Sequence, residues 1–237
     1  HKFLRAMSGD VAVNCLVTEK GKECGQLLLK TACDAIDYYR SLFGYYPQQS
    51  LTIVPGVKRP VGGCRLGTGI CIVHGQERMR ERTELFWKWI TAHEIGHQYF
   101  GEEIIEKDTP SWLWIGLGLW ADREYFRARN LPEAEHATIL SDYQNAIAEG
   151  IDTNITLSEE QWADLKIDFN NIVTHGKGFA IISALSSLLE RDVFLEINKR
   201  LLKEFAGRQL GGYDFQRVVE EETGEDFHWF FNYWLRT

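Results

Sequence analysis

The sequence lacks the features of several large classes of protein. None of its apolar runs approaches the roughly 18 residues that a membrane span requires, and we find no internal repeat and no low-complexity segment. It contains only five cysteines, an odd number with no CxxC pair. At least one thiol is therefore unpaired, which favours a reducing compartment or inert buried cysteines over a disulfide framework or a zinc knuckle.

A basic surface is also missing. The chain of 237 residues has 26 Lys and Arg against 34 Asp and Glu, which gives a formal net charge of −8. Nucleic acids and anionic membranes both bind cationic surfaces, so we expect neither as a partner. The 44% of hydrophobic and 25% of charged residues are typical of a folded globular protein and exclude a disordered chain.

The N-terminal residues do not resemble a secretory signal. The segment His1–Arg5 is rich in charge, and no apolar core follows it. Because the chain begins with histidine rather than methionine, we expect it to be a fragment or a processed form of a longer protein. The unpaired thiols lean towards a cytoplasmic location, but the sequence assigns neither a compartment nor an oligomeric state.

The order of the predicted elements indicates an α+β fold. The first part of the chain is predicted to contain a helix at 23–43 and strands at 11–18, 51–54 and 69–73. Pro55 is expected to stop the second of these strands. Beyond residue 80 the apolar spacing is almost entirely helical, over residues 81–100, 116–129, 132–149, 158–164, 176–190, 192–206, 213–223 and 226–236.

This order predicts a single domain over residues 1–237. A small mixed sheet would lie in a lobe spanning about residues 1–100, and a helical lobe would span about residues 101–237. A groove between two such lobes is the usual place for a functional site.

The HEIGH motif at residues 93–97 carries the candidate chemistry. On a helix, His93 and His97 are one turn apart and point the same way, and two imidazoles at that spacing can hold one Zn²⁺. Glu94 lies about 100° round the helix, from where it can act as a general base towards a water on the metal. Leu85–Phe100 contains an apolar stripe broken only by these histidines. The alternative is a structural pair, each hydrogen-bonded to the backbone.

This motif and three further segments resemble the gluzincin metallopeptidases of the aminopeptidase N and leukotriene hydrolase family. The matching segments are HEIGHQYFG at 93–101, WIGLGL at 114–119, HGKGFA at 175–180 and the closing helices at 215–235. The resemblance spans most of the chain and implies a thermolysin-like catalytic domain that uses Zn²⁺ to hydrolyse peptide or protein substrates. It also implies an N-terminal β-sandwich, of which this chain would retain residues 1–20 at most.

The sequence departs from the family pattern at three positions that carry chemistry. The family's third zinc ligand, a glutamate, falls on Leu117 or Gly116, and neither side chain can bind a metal. The family's tyrosine, which stabilises the tetrahedral intermediate, falls on His175. The glutamate that holds a free amine falls in the loosely aligned segment 62–66, which has no carboxylate, so aminopeptidase specificity is not expected.

Several groups could complete or support the metal site. Glu124 shares a helix face with Leu117, but seven residues correspond to about 10 Å along the axis, too far for a ligand about 2 Å from the metal. Asp122 could orient a histidine from behind. His175 could supply a third nitrogen or stabilise the oxyanion, or it could be a structural residue at a helix N-terminus. A water molecule could also take the third position.

We therefore predict zinc-dependent peptide-bond hydrolysis, with His93 and His97 as metal ligands and Glu94 as the general base. His175 is predicted to be a second catalytic residue. The alternative is a degenerate gluzincin domain that binds peptide or protein without cleaving it, because the third ligand and the tyrosine are replaced.

The glycines at residues 62 and 63 are the predicted substrate-binding residues. By resemblance, Gly62 and Gly63 belong to an edge strand and loop that bind an extended peptide by strand addition. An ordinary hairpin-like loop explains the same glycines equally well.

Overall fold

The chain divides into two compact units in the computed structural model. The first comprises His1–Glu102 and Ala121–Glu133, and the second comprises Glu103–Trp120 and Ala134–Thr237. The structure describes residues 1–56, 62–107, 112–152, 154–155, 161 and 170–236. No helix within these ranges is long and apolar enough to cross a membrane.

A five-stranded mixed sheet forms the base of the first unit. Its strands, in chain order, are β1 (Lys2–Ser8), β2 (Val11–Val17), β3 (Ser50–Gly56), β4 (Gly63–Gly67) and β5 (Ile70–His74). They are arranged in the order β1-β2-β3-β5-β4. The pairs β1/β2 and β4/β5 are antiparallel, whereas β3 pairs in parallel with both β2 and β5. Among the described strands, β4 therefore lies at one edge of the sheet and β1 at the other.

Two helices of the first unit contact the sheet. Helix α1 (Lys22–Phe43) packs on β1 and β2 and ends at Gly44, whose φ of 91° is left-handed. Helix α2 (Glu84–Gly96) packs on β4 and β5, and the Thr83 side chain caps it by accepting a hydrogen bond from the amide of Phe86. The strands contribute alternate buried residues to the core, namely Val11, Val13, Cys15, Val17, Leu51, Ile53, Cys71 and Val73.

The second unit is mostly helical. It contains a short parallel pair of strands, β6 (Ile105–Glu106) and β7 (Gln209–Leu210). Its helices are the first part of α3 (Trp112–Ala128), then α4 (Ala134–Ala148), a π-helical segment (Asn170–Lys177), α5 (Gly178–Leu188), α6 (Arg191–Glu204), α7 (Gly212–Thr223) and α8 (His228–Arg236). The remainder of α3, from Ala121 onwards, belongs to the first unit.

Most predicted elements are confirmed, but the sheet is larger than predicted. Strand β1 was not predicted, because its outward residues are exposed and its inward ones only half-buried, which weakens the apolar alternation. The prediction that Pro55 stops β3 was wrong, since β3 continues to Gly56 alongside β5. Pairing with β2 ends at Ile53, so the missing N–H of Pro55 leaves no ladder partner unsatisfied on that side.

Three helical predictions also differ from the structure. The segment predicted as helical over 81–100 forms α2 only over Glu84–Gly96, preceded by a 3₁₀ helix at Gln76–Glu81. The segment at 176–190 begins within the π-helical segment rather than as a new α-helix. The predicted helix at 158–164 lies outside the described residues, apart from Gln161.

Helices α3 and α5 approach each other backbone to backbone within the second unit. A Cβ atom added at Gly116 would lie 2.7 Å from the carbonyl oxygen of Gly178, and one added at Gly178 would lie 2.7 Å from that of Trp112. Both glycines belong to the family-like segments WIGLGL and HGKGFA. Their role in this structure is therefore close packing, since only glycine fits at either position.

We predict that Gly178→Ala lowers the free energy of unfolding by about 1–3 kcal/mol, because the added methyl group overpacks the contact between the two helices. Ser187→Ala, an exposed change on the same helix, is the control and should stay within about 0.5 kcal/mol of the unchanged protein. Urea titration measures both. A Gly178→Ala protein as stable as the control would contradict the close approach.

Candidate metal centre

The two histidines of the HEIGH motif converge in the interior of the first unit. His93 lies in the last turn of α2, and His97 follows its end with helical backbone angles. The ring centroids are 4.3 Å apart, and the two Nε2 atoms are 2.9 Å apart. The prediction that the i,i+4 spacing brings the imidazoles together is confirmed.

Each imidazole is oriented by a hydrogen-bond acceptor that lies next to its Nδ1 atom. His93 Nδ1 lies 2.8 Å from a carboxylate oxygen of Asp122, and His97 Nδ1 lies 3.2 Å from the carbonyl oxygen of Phe100. Since both partners can only accept, both Nδ1 atoms donate, and in a neutral ring the Nε2 atom then carries a lone pair. Two buried lone pairs that face each other at this distance repel unless a cation or a proton lies between them.

This donor pair fits a divalent metal ion such as Zn²⁺. Two imidazole nitrogens bound to one tetrahedral zinc ion at about 2.0–2.1 Å stand roughly 3.3 Å apart, so the observed separation of 2.9 Å would have to widen by only a few tenths of an ångström. Zinc-binding histidines commonly donate their other N–H to a carboxylate or a carbonyl, as both rings do here. Over the described ranges, no group of three or more His, Cys, Asp or Glu side chains could hold a metal ion. The two imidazoles are the candidate metal donors in that part of the chain.

Asp122 changes the electrostatics of His93. Burial alone lowers the pKa of His93, but the hydrogen bond and the negative charge of Asp122 outweigh that effect, so the pKa is raised above its usual value. A carboxylate in this position makes the ring more basic and fixes its tautomer. The orienting role considered for Asp122 from the sequence therefore has the required geometry. Glu124, by contrast, pairs with Arg127 at 3.3 Å.

Glu94 is a buried carboxylate with an unusual acidity. Its side chain is 2% exposed, and burial raises its pKa to about 7, although the charges of His93 and Arg65 act in the opposite direction. Its Oε2 atom has no hydrogen-bond partner among the described residues. A carboxylate in this state can accept a proton near neutral pH, and the charge of a bound cation would lower its pKa.

The edge strand β4 passes directly against Glu94. A Cβ atom added at Gly63 would lie 2.8 Å from the carboxyl carbon of Glu94, whereas one added at Gly62 would meet none of the described residues within 4 Å. Gly63 is therefore the glycine that permits the close approach, and Gly62 is not. Among the described strands, β4 is an edge strand and also one arm of a hairpin with β5, a geometry that both sequence-based interpretations share.

The segment that follows the HEIGH motif holds this hairpin in place. Gln98, which is fully buried, accepts a hydrogen bond of 2.6 Å from the amide of Gly69 in the hairpin turn. Arg65 of β4 donates to the carbonyl oxygen of Gly101 at 2.9 Å and to Glu102 at 2.8 Å. Sequence reasoning missed both Gln98 and Arg65. The sequence feature that could have pointed to Gln98 is its position directly after the second histidine of the motif.

The remaining predicted residues belong to the second unit. His175 lies in the π-helical segment, where its Nδ1 is 3.3 Å from the hydroxyl of Thr174. Gly116 has no space for a carboxylate side chain, because α5 lies against it. Of the two positions aligned with the family's third ligand, Leu117 is the one that already carries a side chain larger than glycine. It is itself buried.

Two solved structures share this fold. Native yeast LTA4 hydrolase matches with a TM-score of 0.75 at 19% identity, over 99% of this chain and 39% of that one. An M1 zinc metallopeptidase from Deinococcus radiodurans matches with a TM-score of 0.66 at 14% identity, over 98% of this chain and 51% of that one. The predicted α+β class, with a small sheet and a helical part, is thus confirmed as that of an M1 peptidase catalytic domain.

The sequence comparison identifies the family. The profile of the peptidase family M1 domain matches residues 63–234. Aminopeptidase M1-B of Oryza sativa subsp. japonica is 28% identical over 142 residues, which are 56% of this chain and 16% of that protein. The chain belongs to peptidase family M1, which confirms the resemblance inferred from its motifs. It spans well under two thirds of the length of each of these relatives.

We predict that Gly63→Ala lowers the free energy of unfolding by about 1–3 kcal/mol, because its methyl group overlaps the Glu94 side chain. Gly62→Ala, one residue away, where an added Cβ meets no described residue within 4 Å, should change stability by less than about 0.5 kcal/mol. Repeating Gly63→Ala in a Glu94→Ala background tests the contact itself. There the cost should nearly vanish, and an equal cost in both backgrounds would show that the two residues do not touch.

Proposed function

We propose that this chain is the catalytic domain of a zinc-dependent peptidase. The observation that carries the proposal is the convergence of the His93 and His97 Nε2 atoms at 2.9 Å, with each ring held from behind by an acceptor. Membership of peptidase family M1 supports hydrolysis of peptide bonds in general. The Deinococcus radiodurans relative, described as a zinc metallopeptidase, supports zinc as the metal.

In the proposed reaction, several residues of this chain have separate roles. A bound zinc ion supplies a Lewis acid that polarises the scissile carbonyl and makes water more acidic. Glu94 accepts a proton from the attacking water and passes it to the nitrogen of the leaving amine. Asp122 keeps His93 in the tautomer whose Nε2 can bind a cation. The edge of β4 that has no neighbour among the described strands aligns an extended peptide beside Glu94, since Gly63 lets the strand lie directly against that carboxylate.

The assignment of a second catalytic residue remains a prediction. His175 corresponds to the family's tyrosine by sequence, and an imidazole N–H can stabilise an oxyanion. We expect His175→Phe to lower turnover by on the order of 10²- to 10³-fold, as the loss of one oxyanion donor does in other enzymes. Steady-state kinetics of that variant measure this effect.

The second candidate function is a degenerate domain that binds peptides without cleaving them. It is favoured by Leu117 at the position of the third ligand and by the absence of a group of three donors among the described residues. A domain of this kind would retain the β4 edge and its peptide-binding geometry. It would differ from a peptidase only in turnover.

Replacement of the general base separates these two functions. Glu94→Gln should abolish cleavage and leave the zinc content unchanged, because glutamine keeps the shape but cannot accept the proton. Internally quenched peptides with free and with blocked N-termini, supplied with zinc, measure turnover, and metal analysis measures zinc. Zinc and peptide binding by the unchanged protein without any cleavage would instead establish the degenerate domain.

The carboxylate behind His93 gives a test that does not depend on turnover. We expect Asp122→Ala to weaken zinc retention by about 10- to 100-fold, since the imidazole loses the partner that orients it and makes it basic. Glu124→Ala is the matched control, because it removes an equally buried carboxylate from the same helix that pairs with Arg127 instead. Competition with a chelator measures both variants. Equal losses in the two would contradict a specific role for Asp122.

A further inference from the structure

Strand β4 directs alternate side chains towards the HEIGH segment. Gly63 and Arg65 are partly buried, whereas Cys64 and Leu66 are exposed. Alternate residues of a strand lie on the same face, and the Gly63 position lies against Glu94. Arg65 is therefore the next side chain on this face, about 6.6 Å along the strand from Gly63.

The guanidinium of Arg65 is fixed in position without being fully enclosed. Its Nη1 atom donates to the carbonyl of Gly101 at 2.9 Å and to Glu102 at 2.8 Å. The Arg65 side chain keeps 38% of its surface exposed, while that of Glu102 keeps 10%. A guanidinium has five N–H donors in a rigid planar fork, so one arginine can bind more than one partner.

The position of Arg65 relates it to any peptide that pairs with β4. Among the described strands, β4 has a neighbour only on the β5 side, and an exposed strand edge pairs with an extended peptide through the backbone. Such a peptide advances about 3.3 Å per residue. Arg65 therefore meets a group roughly two residues from the peptide bond that lies opposite Gly63 and Glu94.

We propose that Arg65 is a specificity-determining residue that binds a substrate carboxylate about two residues from the scissile bond. The carboxylate belongs either to an acidic side chain or to the C-terminus of the peptide, because both present the same planar pair of oxygens. The inference rests on the proposed function only in taking the peptide on β4 to be the substrate. It adds a substrate class that the metal site does not define.

The test compares matched peptides that differ in one carboxylate. Fluorescently labelled peptides with Glu or Gln at successive positions, and with a C-terminal acid or amide, are titrated into zinc-loaded Glu94→Gln protein, so that binding is measured without cleavage. We expect a carboxylate at one position to tighten binding by about tenfold, which corresponds to one charge-assisted hydrogen bond. Whether the Glu series or the C-terminal acid shows the gain identifies the source of the carboxylate.

Two variants distinguish recognition from a purely structural ion pair. Arg65→Gln and Glu102→Gln both break the same ion pair, but only the second leaves the guanidinium in place. We expect Arg65→Gln to abolish the carboxylate preference and Glu102→Gln to keep or increase it, because a competing carboxylate is removed. If both variants weaken carboxylate and amide peptides alike, Arg65 only holds the hairpin and the proposal is wrong. Arg65→Lys, which keeps the charge without the fork, replaces Arg65→Gln if that protein does not fold and should keep a reduced preference.

Failure of this proposal is distinguishable from failure of the proposed function. Equal affinity of the unchanged protein for carboxylate and amide peptides overturns the role of Arg65, whether or not the peptides are cleaved. An Arg65-dependent carboxylate preference in a protein that cleaves none of them supports the role of Arg65 and overturns the proposed hydrolysis.

Discussion

The candidate site depends on the way in which two buried imidazoles are oriented. One helical turn separates His93 from His97, so their rings converge, and the acceptors behind them decide which nitrogen of each ring carries the proton. Because the Nδ1 atoms donate to Asp122 and to the carbonyl of Phe100, the Nε2 lone pairs of two neutral rings would face each other in the interior of the protein. Only a cation or a shared proton makes that arrangement favourable in a buried place. This requirement connects the local motif to metal chemistry.

The strand beside the metal centre is held by the same short segment that carries the histidines. Gln98 binds the hairpin turn, and Gly101 and Glu102 bind Arg65 on the edge strand. The distance between Glu94 and a peptide on that edge is therefore set by contacts only a few residues beyond the motif. A change in the hairpin would displace the Glu94 side chain, because a side chain larger than glycine at position 63 would overlap it.

The family pattern in this chain combines packing and chemistry, and the two are separable. Gly116 and Gly178 allow helices α3 and α5 to touch through their backbones, and this packing does not depend on which residue occupies the aligned ligand position. Glycine in close packing and a carboxylate at a metal satisfy separate physical requirements. Membership of the family consequently supports the fold more directly than it supports any single catalytic role.

Which elements the sequence predicts depends on the distance along the chain over which the stabilising interactions act. The helices and the histidine pair were predictable because apolar spacing and the i,i+4 relation act within one or two turns. Strand β1 and the end of β3 were not, since a strand's extent depends on which neighbours it pairs with.

The amino-acid sequence by itself determined the α+β class and the convergence of the two imidazoles, and it predicts that the third ligand carboxylate is replaced. The tertiary structure alone decided that Asp122 stands behind His93, 29 residues away along the chain, and that Gly63 rather than Gly62 meets Glu94. These contacts join separate elements, and no local pattern encodes them, because they arise only when the sheet, α2 and α3 pack together.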